Sequence, residues 1–92
     1  MFQVGNTIRL SCTFTDFEGR KVDPVIVKVI IYDVLYRKIN EYTLDVTNKL
    51  RVGDYYFDYV PTKAGKIFYE WYGEIVGKPA IKRDTLEVKF VN

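Results

Sequence analysis

An antiparallel β-sandwich of about seven short strands is the fold class this sequence predicts, with a small barrel as the alternative. Three observations carry it. Apolar and polar residues alternate with a period of two through much of the 92 residues, giving each strand one dry and one wet face. Eight Tyr and six Phe bring aromatics to 16% of the chain, and such side chains suit the pleated surface of a sheet. Turn residues recur at short intervals, and no stretch keeps a helical period over three turns.

The rest of the chain is organised around residues 53–72. Tyr55, Phe57 and Tyr59 form one inward row, and Ile67, Tyr69 and Trp71 form another. Pro61-Thr62-Lys63-Ala64-Gly65 between them suits a loop that reverses or crosses over. Upstream, Ile8, Leu10, Cys12 and Phe14 alternate with Arg9, Ser11, Thr13 and Thr15, which predicts a half-buried first strand. Asp16 to Lys21 is a turn with Gly19 as its permissive residue. Asp23-Pro24 opens the second strand, because proline is tolerated where a strand begins. Val27, Val29 and Ile31 are its inward set. Ile26, Lys28, Ile30 and Tyr32 face the other way, the lysine deciding the choice. Residues 33–38 turn into a third strand over 39–46 that uses Tyr42 and Leu44. Residues 47–52 form a loop or short edge strand, with Leu50 or Val52 touching the core. Gly73 to Pro79 reads as a loop, and residues 80–91 as a last strand with Leu86, Val88 and Phe90 inward.

A chain of this length makes one domain, residues 1–92, that buries a modest core without disulfides. Fourteen basic and twelve acidic residues leave a net charge of +2, with the two signs interleaved. That balance does not point to nucleic acid. No apolar run reaches the length of a membrane span, and the N-terminus lacks the basic start and hydrophobic core of a signal peptide. Met1 is read as the start of a complete frame made in the cytosol.

Chemistry is sparse. The chain has no histidine and one cysteine, so imidazole-based triads, imidazole metal sites and thiolate clusters are not expected. Its six glycines are scattered singly, without a phosphate-binding loop. The nearest carboxylate pairs, Asp16 with Glu18 and Asp54 with Asp58, offer too few oxygens for calcium. They read as solvated turn and face charges, and Asp23 and Asp33 as turn-shaping residues. No cofactor, metal or catalytic residue is assigned, and an enzyme is not expected. Cys12 reads as a small buried apolar residue.

Three segments resemble a known group of proteins. They are Val4-Gly5-Asn6-Thr7-Ile8-Arg9-Leu10-Ser11-Cys12-Thr13-Phe14-Thr15-Asp16, Val22-Asp23-Pro24 leading to Ile31-Tyr32-Asp33, and Ala64-Gly65-Lys66-Ile67-Phe68-Tyr69-Glu70-Trp71. Together they are similar to small stand-alone proteins of tailed phages and prophages, although Asn6 replaces the usual Asp and Val34-Leu35-Tyr36 replaces a Pro/Gly-rich turn. The resemblance implies an immunoglobulin-like sandwich, a non-catalytic virion structural or accessory role exerted through protein contacts, and a place in the virion or host cytoplasm. The alternative is a cell-surface or secreted module that grips glycan or protein. Either reading expects a protein partner, another virion protein or a second copy, and no nucleic acid or membrane.

Six residues are candidates for that contact. In such a layout the first, second and fifth strands are expected in one sheet and the third, sixth and seventh in the other. Ile26 and Ile30 would then lie beside Tyr56 and Val60 on one outer face. Phe68 and Tyr72 would lie on the opposite face, which is favoured because exposed aromatics anchor protein contacts.

Overall fold

The computed structural model describes residues 2–89. Its strands are β1 (Phe2–Gln3), β2 (Ile8–Thr13), β3 (Val27–Tyr32), β4 (Lys38–Thr43), β5 (Lys49–Arg51), β6 (Asp54–Tyr59), β7 (Gly65–Ile75) and β8 (Lys78–Lys89). A single 3-10 turn, Val46–Asn48, separates β4 from β5. Two sheets face each other in the expected β-sandwich, one ordered β2-β6-β5 and the other β1-β8-β7-β3-β4. All pairings are antiparallel except that of the two-residue β1 with β8.

Alternation in sequence becomes packing here. Ile8, Leu10, Cys12 and Phe14 are buried, as are Val27, Val29 and Ile31 on β3, Tyr55 and Tyr59 on β6, and Leu86 and Val88 on β8. Phe57, Ile67 and Tyr69 are partly buried against them. Trp71 is the largest fully buried side chain, 1% exposed. It lies opposite Val29 in the ladder, with the Phe14 ring edge-on at 6.5 Å. Gly73 makes room for that ring: a Cβ there would sit 2.5 Å from Phe14 Cε1. The expectation for Tyr42 and Leu44 also holds, since both pack on the core and Tyr42 meets Phe57 at 4.5 Å between ring centroids. The inward reading of Phe90 lies outside the described residues.

Residues 61–64 cross from the small sheet to the large one, so β6 and β7 face each other across the core, in separate sheets as the expected layout has them. Three details differ from the sequence reading. Residues 73–79 are the end of a hairpin, not a loop, because β7 and β8 pair as far as Ile75↔Lys78. Only Val76 and Gly77 turn, both at positive φ (51° and 72°), as tight hairpins require. Leu50 and Val52 stay exposed, because β5 is a short edge strand whose side chains clear the core. Finally, β3 belongs to the large sheet, paired with β7 and β4, and not to the sheet of β2 and β6. The segment between β2 and β3 crosses over, held by Asp23, whose carboxylate accepts from Gly53 N–H at 2.8 Å and Tyr55 O–H at 3.2 Å. Asp23 is thus a latch to β6 and not only a turn former.

Candidate functional site: the outer face of the large sheet

Moving β3 between sheets regroups the candidate residues. Ile26 and Ile30 do not adjoin Tyr56 and Val60. They share one outer face with Phe68 and Tyr72. In the ladder, Tyr72 lies between Lys28 and Ile81, Glu70 between Ile30 and Arg83, and Phe68 between Tyr32 and Thr85. Two groups of large side chains therefore flank a central ion pair.

That pair is Glu70 with Arg83. The carboxylate is 5% exposed and accepts from Arg83 Nε at 2.6 Å. The contact holds the Arg83 guanidinium above its ordinary pKa, and burial with the nearby Glu70 charge pushes up the Tyr32 phenol. Ile30 is 8% exposed although it points away from the core. A buried outward isoleucine means that its neighbours already close over it, so the face is compact before any partner arrives.

On one side of the ion pair, Ile26, Lys28, Ile30, Glu41 and Tyr72 line a shallow cleft of about 280 Å³. On the other, Tyr32, Tyr36, Phe68, Arg83 and Thr85 line one of about 300 Å³. In the second cleft the Tyr36 and Phe68 rings stack at 4.3 Å and 17°, and Lys66 Nζ lies 5.6 Å from the Phe68 ring centroid.

Tyr36 reaches Phe68 through an unusual backbone. It sits at φ 60°, in a region that costs a bulky residue energy. The loop before it is built by Asp33, which accepts at Oδ1 from the N–H groups of Leu35 (2.8 Å) and Arg37 (2.9 Å) and at Oδ2 from Arg37 Nε (2.8 Å). The same pattern occurs at Asp16, with Glu18, Arg20 and Arg20 Nε at 2.9, 3.0 and 3.2 Å. Both carboxyls are held below the ordinary range, first by the backbone N–H of the arginine. The two loops differ at the left-handed position, which is Gly19 (φ 82°) in one and Tyr36 in the other. The geometry that calls for glycine therefore carries an aromatic ring where it can stack on this face.

The other proposed group is less available. Arg9 lies over the Tyr56 ring at 4.1 Å, and the Tyr56 hydroxyl donates to Thr47 C=O at 3.2 Å. Val60 is 47% exposed on the far side of the sandwich. The carboxylates there are engaged. Asp58 binds Arg9. Asp54 takes Lys21, Thr13 and Arg51, which hold its pKa at about 2. Among the described residues, no group of three or more His, Cys, Asp or Glu side chains is gathered as for a metal, and no helix is long and apolar enough to cross a membrane.

Of the residues on this face, the sequence reading named Phe68, Tyr72, Ile26 and Ile30 as contact candidates and passed over Tyr36, Tyr32, Arg83 and Ile81. The repeated Asp-x-x-x-Arg spacing at Asp16–Arg20 and Asp33–Arg37 was the available signal, since aligning the two places Tyr36 against Gly19. No family model, curated protein or solved structure matches this chain.

Proposed function

We propose that this protein is a non-catalytic, immunoglobulin-like module that works by protein contact through the outer face of its large sheet, in a phage or prophage virion. The strand order supports the immunoglobulin-like part. With β2 taken as strand B, β2-β6-β5 follows B-E-D, and β8-β7-β3-β4 follows G-F-C with an added C′ strand. The phage and virion part rests on the sequence resemblance alone. The contact surface rests on one observation, the Tyr36 ring held on Phe68 at the expense of a left-handed backbone. Strained residues cluster where a site needs them, and aromatic rings dominate contact energies.

The test is co-expression with the proteins encoded beside it, followed by purification of assembled particles. The wild-type chain is expected in the particles, and the Phe68→Glu/Tyr72→Lys variant outside them while still folded. A folded variant that joins particles as well as wild type refutes the assigned face.

The cleft of Tyr32, Tyr36, Phe68 and Arg83 favours one second reading, a surface or secreted module for glycan, because rings and a guanidinium also suit a sugar. Saturable binding of a soluble oligosaccharide, abolished by Tyr36→Gly, would favour that reading over the first.

A further inference from the structure

A strand at the edge of a sheet offers unpaired N–H and C=O groups to any strand that reaches it, and folded proteins blunt such edges. Most edges here are blunted. β5 has three residues and a register shift. β4 carries an irregularity opposite Ile31 and Tyr32 and the Lys38–Glu41 ion pair. On β8 the odd-numbered residues face outward, because Glu74 bonds toward β3 through Val25 and Ile26 and so leaves Gly73 and its partner Ala80 facing each other. Among those outward positions, Pro79 has no N–H to offer, and the Thr85 N–H donates to Asp84 Oδ1 at 2.8 Å. β1 covers the end of β8, where Val4 N–H reaches Lys89 C=O at 2.8 Å.

β2 is built differently. Phe14 N–H donates to Gly53 C=O at 2.8 Å, and Tyr56 C=O points to the β5 side, where it accepts from Asn48 Nδ2 at 3.2 Å. Those two bonds fix the alternation. Ile8, Leu10 and Cys12 bond toward β6, and the main chain of Arg9, Ser11 and Thr13 faces out. The strand has no proline and no register shift across its six residues. Its one charge, Arg9, is neutralised by two bonds to Asp58, at 2.8 and 3.0 Å.

We infer that β2 pairs with β2 of a second copy of this chain, antiparallel about a two-fold axis at Ser11, to join two small sheets into one of six strands. The register follows from the side chains. Centred on Ser11, Leu10 lies across from Cys12 and Ile8 from Phe14, so the inner row is apolar against apolar. In the outer row Arg9 lies across from Thr13, whose hydroxyl already donates to the Asp54 carboxylate at 2.8 Å. That carboxylate already holds Lys21 and Arg51, and Arg9 keeps its own bonds to Asp58, so the outer row sets a paired guanidinium against a neutral hydroxyl. Three outward-facing pairs exchange about six hydrogen bonds, two per pair. No like charges oppose one another. A centre at Arg9 would set two guanidiniums face to face, a centre at Thr13 would run past the end of the strand, and a centre at Leu10 or Cys12 would keep only two outward-facing pairs within Ile8–Thr13. This interface leaves the outer face of each large sheet uncovered, so it stands apart from the contact surface proposed above.

Sedimentation of the intact chain tests the pairing. The wild type is expected to be a dimer at its highest soluble concentration. Ser11 is exposed, so Ser11→Lys and Ser11→Asp should fold, as circular dichroism would verify. Each alone sets like charges across the axis and should sediment as a monomer, and an equimolar mixture should recover the dimer. Ser11→Cys places two thiols across a hydrogen-bonded pair and should give a covalent dimer under mild oxidation. A monomeric wild type, a dimer that survives Ser11→Lys, a mixture that stays monomeric, or a Ser11→Cys protein that does not cross-link would each overturn the inference.

Discussion

Replacing Tyr36 by alanine and, separately, by glycine divides the energy of this position into two parts. Tyr36 is 62% exposed, so its removal uncovers little apolar surface. The stack on Phe68 is worth about 0.5–1.5 kcal/mol, and both substitutions lose it. Only glycine also relieves the left-handed backbone, which costs other residues about 1–2 kcal/mol. Glycine gives back about 0.5–1 kcal/mol through the entropy of its unfolded chain. Tyr36→Ala should therefore lower stability by about 1 kcal/mol, and Tyr36→Gly should stay close to wild type. The gap is readable by denaturant or thermal unfolding, since ~1 kcal/mol moves the midpoint of a domain this size by several degrees. Gly19→Ala is the control. Nothing lies within 4 Å of a Cβ placed there, so its cost reports the backbone alone and should match the gap. Equal stability of Tyr36→Ala and Tyr36→Gly would refute the strain and, with it, the argument that the ring is held there for a purpose.

Trp71→Ala empties the middle of the core and should cost about 3–5 kcal/mol, a large part of the stability of a small domain; an unchanged melting midpoint would contradict its burial. Cys12 is buried with its thiol pKa pushed up by desolvation, so it should react with a thiol reagent only after unfolding, and rapid labelling of the native protein would count against the packing of β2. Asp54, with a folded pKa of about 2 against an ordinary 3.8, stabilises the fold above the ordinary carboxylate range, and that contribution is lost as pH falls through the folded value. Asp54→Asn should be less stable than wild type near neutrality, the difference closing toward pH 2; a difference independent of pH would rule out the carboxylate as its source.

The inner rows were legible in the sequence because a strand half buried against a core must alternate. Ile8 to Phe14, Val27 to Ile31 and Tyr55 to Tyr59 all point where the pattern put them. Which sheet a strand joins is not written in its alternation. Val27, Val29 and Ile31 face a core from either side, and the crossover latched by Asp23 decides the matter through contacts about thirty residues away. The hairpin at Val76-Gly77 was hidden by Gly73 and Pro79, which suggest a loop. Gly73 is there for the Phe14 ring, and Pro79 lies on an open edge where a missing N–H is harmless. Four of the six candidate contact residues met on one face for the same reason that the expected grouping failed, namely the transfer of β3. Tyr36 was overlooked because no residue preference places tyrosine in a left-handed turn, and only its alignment with Gly19 in the repeated Asp-x-x-x-Arg spacing marks it.

The hairpin also bears on the order in which the molecule assembles. β7 and β8 are joined by two residues, so their ladder can zip from the turn on the microsecond scale of isolated hairpins. In the small sheet β5 and β6 also share a two-residue turn, but β2 has no such shortcut to β6. Thr13 meets Asp54 across 41 residues and Arg9 meets Asp58 across 49, and closing those loops costs entropy before any contact rewards it. A nascent chain would therefore hold a formed hairpin whose inner side, with Trp71, Leu86 and Val88, waits for β2 and β6 to cover it. During that interval the molecule is most exposed to aggregation, and faster docking of β2 shortens it.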